Sequence, residues 1–167
     1  MKLKLEVKGN RAIFKNATKE IKKDLENEIL MTTEAVADQA QVNTPSNTGF
    51  LRNSITAEVD GLEGVVRVAA KYGPFIEFGT GTLVDAPAEW EQYASEFKGK
   101  LDGTFEQFEN SLKDWMRNKG IPEEAFFPIA MKILRVGIRP QPFLYPAWKS
   151  ETEKMMQRLR KRFNSGR

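Results

Sequence analysis

Residues 21–45 read IKKDLENEILMTTEAVADQAQVNTP, and their apolar side chains recur every three or four positions. This spacing is typical of one face of an α-helix, and it begins upstream of the quoted stretch. The face consists of Ile13, Ala17, Ile21, Leu25, Ile29, Thr33, Val36 and Ala40. Pro45 ends the pattern, because the residue before a proline avoids helical geometry. The stretch predicts one amphipathic helix of about 30 residues, roughly 45 Å long.

Strand-like patterns flank this helix on both sides. Apolar and charged residues alternate over 3–7, and apolar residues recur at every second position over 55–59. Residues 60–64, DGLEG, predict a hairpin loop, with 65–70 as the return strand. The aromatic stretch 72–78 predicts a further strand. We therefore expect an α+β protein in which the long helix covers the apolar face of an antiparallel sheet.

Residues 83–137 change to helical spacing. Their three apolar patterns consist of Trp90, Tyr93, Ala94 and Phe97, then Phe105, Phe108, Leu112, Trp115 and Met116, then Ala125, Phe126, Ile129, Ala130, Ile133 and Leu134. This spacing favours a helical core over a platform for stacking nucleic-acid bases, which is usually a sheet face or a loop. The sequence predicts a helical subdomain over 83–137, inserted into an α+β core of residues 1–82 plus 138–167.

The end of the chain combines an extended segment with a helix. Residues 139–146 contain three prolines, which argue against a central strand. A helix is predicted from Ala147, with an apolar face of Trp148, Thr152, Met155, Leu159 and Phe163.

The residue types that the chain lacks exclude whole classes of mechanism. Among its 167 residues there is no Cys and no His. Disulfides, thiolate nucleophiles and His-dependent catalytic triads are therefore excluded. No apolar run approaches the length of a membrane span, and the first residues lack the apolar stretch of a signal peptide. We expect no cofactor, no metal, no small-molecule substrate and no membrane partner.

Positive charge is concentrated in residues 149–167, which carry seven basic and two acidic side chains, whereas the whole chain has a net charge of +3. Such a basic end can contact nucleic acid or an acidic partner, or it can be a solvated helix face. The candidate contact residues are Lys154, Arg158, Arg160, Lys161 and Arg162.

Three further features each allow two interpretations. Glu77, expected in a strand, can be a general base or a structural ion-pair partner. Residues 79–82, GTGT, can form an anion-binding nest or a tight turn, and they lack the lysine of a P-loop. Arg52, expected on one strand face with Ser54, can bind phosphate or form a salt bridge.

Three motifs in order resemble those of one family of tailed-bacteriophage proteins. Residues 48–55, TGFLRNSI, are similar to its T-G-x-L-R-x-S-I motif, and residues 72–81, YGPFIEFGTG, to its Y-A-x-x-x-E-F-G-T motif. Residues 140–147, PQPFLYPA, are similar to its x-x-P-F-L-x-P-A motif, and the helix end AQVNTP at 40–45 also fits. The family is the gene-product-ten-like group of siphophage head–tail connector, or tail-completion, proteins.

This resemblance implies a structural protein without catalytic activity. Members complete the tail in the virion neck and join it to the filled head as a homo-oligomeric ring, here expected to be six-fold, through which DNA passes. The implied partners are copies of the chain, neighbouring head-connector and tail proteins, and double-stranded DNA. The implied place is the virion neck, assembled in the cytoplasm of the bacterial host.

The resemblance assigns fold and subunit-contact roles to its motif residues. They are Thr48, Gly49, Leu51, Arg52, Ser54, Ile55, Glu77, Phe78, Gly79, Thr80, Pro142, Phe143, Leu144, Pro146 and Ala147. The two glycines are expected in turns, and Leu51, Ile55, Phe78, Phe143 and Leu144 in the core. Arg52 and Glu77 are predicted to pair, within a subunit or across a ring interface. The alternative functions are a small basic nucleic-acid-binding protein that uses the C-terminal helix and, ranked last, a carboxylate-based hydrolase.

Overall fold

A computed structural model describes residues 1–6, 19–45, 49–95 and 105–164. The chain forms two compact units. Unit 1 consists of Met1–Thr44, Phe50–Lys71 and Phe143–Arg167, and unit 2 of Pro45–Gly49 and Tyr72–Pro142. Unit 1 differs from the predicted α+β core chiefly in residues 72–82 and 138–142, which cluster with the helices of unit 2.

Unit 1 contains a three-stranded antiparallel sheet. Its strands are β1 (Lys2–Glu6), β2 (Ile55–Asp60) and β3 (Glu63–Val68), in the spatial order β1-β3-β2. A two-residue turn joins β2 to β3, and Gly61 supplies its positive φ of 56°. The register pairs Ala57 with Val66 and Glu58 with Val65. Since neighbouring side chains alternate between faces, one face of this hairpin is apolar.

The long helix α1 (Lys19–Asn43) packs against β2 and β3. Its buried residues are Leu25, Glu28, Ile29, Thr32, Thr33, Val36, Ala37 and Ala40. Gly64 of β3 lies directly against the Thr33 hydroxyl, where a β-carbon would not fit. The missing side chain therefore lets helix and sheet approach closely. The predicted α+β class is confirmed, whereas Ile13 and Ala17, expected on the same helix, lie outside the described residues.

The C-terminal helix α7 (Leu144–Asn164) packs along α1. Met155 and Ile29 are buried together, with Val59, Trp148 and Leu159 packed around them. This confirms the predicted apolar face, except at Phe163, whose side chain lies outside the described part of the structure.

Unit 2 is helical. It contains α3 (Gly73–Phe78), α4 (Glu91–Ser95), α5 (Phe105–Asn118) and α6 (Phe126–Val136). Helices α5 and α6 share a core of Leu112, Met116, Phe126 and Ala130. The two predicted helices of 105–134 are confirmed. Four side chains expected in the helical core are instead exposed: Tyr93 by 38%, Phe105 by 61%, Trp115 by 37% and Leu134 by 42%. Phe97 lies outside the described residues.

Two predicted strands are wrong. Of the predicted strand 72–78, residues 73–78 form the helix α3, and Gly79 ends that helix with a φ of 75°. Residues 50–53 form a one-turn helix, α2 (Phe50–Asn53), in which the Ser54 N–H donates to the Phe50 carbonyl over 3.0 Å. Arg52 and Ser54 therefore do not share a strand face. Short apolar runs fit either structure, because a helix and a strand differ in period only over longer stretches.

The extended segment also ends earlier than predicted. Helix α7 begins at Leu144 and includes Pro146 in its first turn, instead of beginning at Ala147. A proline is tolerated there, because the first N–H groups of a helix have no partner within it.

Candidate functional site

In unit 2, the end of the second motif runs beside the segment that leads into the third motif. The Thr80 N–H donates to the Ile138 carbonyl over 3.0 Å, and the Ile138 N–H donates to the Thr80 hydroxyl over 2.8 Å. The Thr82 hydroxyl donates to the Val136 carbonyl over 2.9 Å. We call this contact between residues 76–82 and 136–141 the glycine junction of unit 2. It brings together the segments at the two ends of the predicted insert.

Glycines make this close approach possible. Gly79 and Gly137 have φ values of 75° and 104°, which side chains other than hydrogen rarely allow. A β-carbon on Gly79 would lie 2.7 Å from the Ile138 carbonyl oxygen, and one on Gly137 would collide with the Thr80 carbonyl. The Thr80 N–H is already donated within the chain. The turn interpretation of residues 79–82 is thus favoured over an anion-binding nest.

Glu77 and Phe78 lie on the buried side of α3, and each is only 1% exposed. The Phe78 ring contacts Trp90 and Tyr93 edge-on, with centroid distances of 5.9 and 5.8 Å. Burial of this kind fits a packing role for the second motif. Arg52 is exposed on α2, and its predicted pairing with Glu77 stays a prediction.

The first and third motifs build part of the unit 1 core. Leu51, Ile55, Phe143 and Leu144 are all at most 5% exposed. With Phe78, these are the five motif residues predicted for the core, and all are buried. The Asn43 side-chain amide donates to the Phe143 carbonyl over 3.2 Å and so joins the end of α1 to the start of α7.

The other motif residues lie at turns or at the surface. Gly49 has a φ of 77°, as a turn glycine should, and the Ser54 hydroxyl donates to the Leu51 carbonyl over 2.8 Å. Ala147 is fully buried, whereas Pro142 and Pro146 are exposed. Thr48 lies outside the described residues. Subunit contacts by these residues stay predictions.

The basic side chains of α7 meet acidic side chains along α1. The Arg158 guanidinium donates to the Glu28 carboxylate over 2.9 Å and to the Thr32 hydroxyl over 3.1 Å. Arg162 lies 3.6 Å from the Asp24 carboxylate. We call this row of contacts the α1–α7 seam. Because the Glu28 side chain is only 11% exposed, the first pair is better shielded from solvent than an ordinary surface salt bridge.

The candidate contact residues Lys154, Arg158 and Arg162 are therefore paired within the chain. Besides Arg158 and Arg162, Lys154 donates to Glu151 of the same helix over 2.7 Å. Arg160 and Lys161 are exposed. The charge pattern of α7 alone did not reveal this pairing. The acidic positions Asp24 and Glu28 on α1 were the available signal, but pairing them with α7 needs the packing of two distant segments.

The outer sheet face carries a more exposed pair. Arg67 of β3 donates to Glu58 of β2 over 2.9 Å. This hydrogen bond, together with the positive charge, lowers the pKa of the Glu58 carboxyl below its ordinary value. In unit 2, the hydrogen bond to Glu109 raises the pKa of Lys113.

Two features are absent from the described residues. Over this part of the chain, no group of three or more acidic side chains is arranged to hold a metal ion. No helix among the described residues has both the length and the apolar character needed to cross a bilayer.

Comparisons with known proteins give one match. Neither a curated protein nor a solved structure matches the chain significantly. The family model HK97-gp10_like, described as "Bacteriophage HK97-gp10, putative tail-component", matches residues 11–79. The match includes the first motif, most of the second, and the end of the long helix. Over residues 11–79 the chain is thus similar to a family of phage tail components, which confirms the resemblance predicted from its motifs.

Proposed function

We propose that the chain is a structural protein of the neck of a tailed-phage virion. It completes the tail and joins it to the DNA-filled head as a homo-oligomeric ring, expected to be six-fold, and it catalyses no reaction. The match of residues 11–79 to a phage tail-component family is the observation that carries this proposal. Its partners are copies of itself and the neighbouring head-connector and tail proteins.

The use of the motif residues supports a structural role. Phe78, Phe143 and Leu144 are buried in cores. Thr80 forms hydrogen bonds across the glycine junction of unit 2 with its backbone N–H and its hydroxyl. These are packing and hydrogen-bonding tasks. Glu77, the strongly buried carboxylate of the motifs, lies in a chain without histidine. A histidine that could act with it as a paired general acid or base is therefore not available.

The pairing of the basic helix bears on the alternative, a small nucleic-acid-binding protein. Non-specific binding of DNA depends on the number of phosphates that Lys and Arg neutralise. Arg158 and Arg162 already face carboxylates on α1. The C-terminal helix thus has less free positive charge than its sequence indicates, which favours the structural role.

The test is the solution mass over a wide concentration range, by light scattering after size exclusion, with electron microscopy of the largest species. Closed rings of six or twelve subunits support the proposal. Binding of duplex DNA by a monomer, weakening steeply with salt and without any ring, would instead support the nucleic-acid-binding alternative.

A further inference from the structure

Helix α6 presents an apolar stripe on its outer side. Phe127 is 75% exposed, Met131 61% and Leu134 42%, and their spacing of four and three residues places them on one helical face. The opposite part of α6 is already packed, since Phe126 and Ala130 belong to the α5–α6 core. Three large side chains on one face, all left in solvent, are more than the scattered exposure that is normal for a protein surface.

Basic residues border this stripe. Lys132 and Arg135 are exposed on α6, next to Met131 and Leu134. We call these five residues the α6 face. Within the described part of the chain, neither Lys132 nor Arg135 takes part in an ion pair. A partner for this face should therefore combine apolar side chains with carboxylates.

The outer side of α1 has that composition. Leu30 is 42% exposed, Met31 57% and Val42 71%, and the exposed acids Glu34 and Asp38 lie between them. We call these five residues the α1 face. Among the described residues, neither acid takes part in an ion pair. The α1 face therefore carries the charges that the α6 face needs.

The α6 face matches in length either of two overlapping parts of the longer α1 face, Leu30–Asp38 or Glu34–Val42. Phe127 and Arg135 are eight residues apart, as are Leu30 and Asp38, so each pair spans about 12 Å of helix at 1.5 Å per residue. With the helices parallel, Phe127 lies opposite Leu30 and Arg135 opposite Asp38. With the helices antiparallel, Phe127 lies opposite Val42 and Arg135 opposite Glu34. In either direction Phe127 meets an apolar residue and Arg135 meets an acid, whereas Met131 lies opposite the other acid.

We infer that the α6 face of one copy of this chain docks on the α1 face of a second copy. Self-pairing of either face is disfavoured, because α6 against α6 would oppose basic residues and α1 against α1 would oppose acids. A contact between two different faces is head-to-tail, the type that generates rings when the rotation closes. The inference rests on the proposed function and adds to it the surfaces through which the ring closes.

Cysteine cross-linking tests the contact directly, because the natural chain has no cysteine. Full-length Arg135→Cys is mixed with Glu34→Cys or, separately, with Asp38→Cys, each variant carrying a tag of different size. We expect disulfide-linked heterodimers in one of the two mixtures, well above the homodimers. The control mixes Arg135→Cys with Lys71→Cys, an exposed position outside both faces. Heterodimer yields no higher than this control in both mixtures would overturn the inference.

Self-association provides an independent measurement. Phe127→Asp should weaken association by about tenfold or more, since exposed aromatic anchors dominate interfaces. Phe105→Asp, at a ring that is 61% exposed outside the α6 face, should leave association unchanged. Arg135→Glu should weaken association, and Glu34→Arg or Asp38→Arg should restore it in the combined variant. Rings that persist in Phe127→Asp, with cross-linking of the cysteine pairs no higher than the control, would refute the docking but leave the proposed function standing. Absence of rings from the natural chain, together with cross-linking no higher than the control, would refute both.

Discussion

Different kinds of contact stabilise unit 1 and unit 2 internally. In unit 1, side chains join distant segments: Arg158 reaches Glu28 and Thr32, and Phe143 and Leu144 are fully buried. In unit 2, backbone groups join residues 76–82 to 136–141, with glycines in close contact. Unit 1 therefore depends on its side chains and unit 2 on its glycines, and the two units should be sensitive to different substitutions.

The surfaces of the two units differ as well. Along the α1–α7 seam, basic side chains face acids of the same chain. On the α6 face, Lys132 and Arg135 border apolar side chains that are exposed. Positive charge in a sequence is thus not by itself a sign of a ligand, because one set of bases completes the fold and the other is available to a partner.

The largest effect is expected from Gly137→Ala, which would disrupt the glycine junction of unit 2. Its added β-carbon meets the Thr80 carbonyl, and its φ of 104° disfavours any side chain. We expect a loss of about 4 kcal/mol, in the range reserved for steric and backbone conflicts. Thermal unfolding measures the loss, and hydrogen exchange at the amides of Thr80 and Ile138 locates it.

Gly120→Ala is the matched control for that substitution. Gly120 also has a positive φ, 65°, but a β-carbon there would meet nothing within 4 Å. Only the backbone cost of about 1–2 kcal/mol should appear. Equal losses for the two alanines would contradict the close contact at Gly137.

Glu28→Ala would break the α1–α7 seam with a smaller effect. It leaves Arg158 without its carboxylate, although the guanidinium side chain is 39% exposed and regains some solvation. We expect a loss of about 1–2 kcal/mol, between the values for surface and buried pairs. Chemical denaturation measures it. Glu26→Ala, an exposed glutamate on the same helix, should change stability by less than about 0.5 kcal/mol.

Arg158 of the α1–α7 seam and Arg135 of the α6 face should respond differently to substitution. Arg158→Ala should lower the stability of the monomer by about 2 kcal/mol, because the shielded Glu28 carboxylate loses its charged partner. Arg135→Ala should leave that stability unchanged within about 0.5 kcal/mol, since exposed residues without special contacts contribute little. Denaturation at concentrations where the chain is monomeric separates these cases. A loss for Arg135→Ala equal to that of Arg158→Ala would contradict the distinction.

The smallest effect concerns pH. The hydrogen bond from Arg67 lowers the pKa of Glu58 in the folded protein, so the pair stabilises the fold at pH values above the ordinary glutamate pKa of 4.5. This contribution disappears as the pH falls through the lowered pKa. The difference in melting temperature between the natural chain and Arg67→Gln should therefore shrink as the pH falls from about 6 to about 3, a range that spans the ordinary glutamate pKa. A constant difference would contradict the role of the pair.

Some features follow from the sequence alone. The three-to-four-residue spacing of Leu25, Ile29 and Val36 determines α1, and strict alternation with a glycine turn determines the β2–β3 hairpin. Long periodic segments reveal their structure because a helix and a strand then place apolar residues differently. The first two motifs likewise predicted the similarity to phage tail components that the match over residues 11–79 confirms.

Only the tertiary structure decided the rest. Residues 50–53 and 73–78 form helices, which the sequence did not reveal because short apolar runs carry no decisive period. The exposure of Phe127 and Leu134 also depended on packing, since spacing shows which residues share a helix face but not whether another element covers it. The pairing of Arg158 with Glu28 joins residues 130 positions apart, a contact that no local pattern encodes.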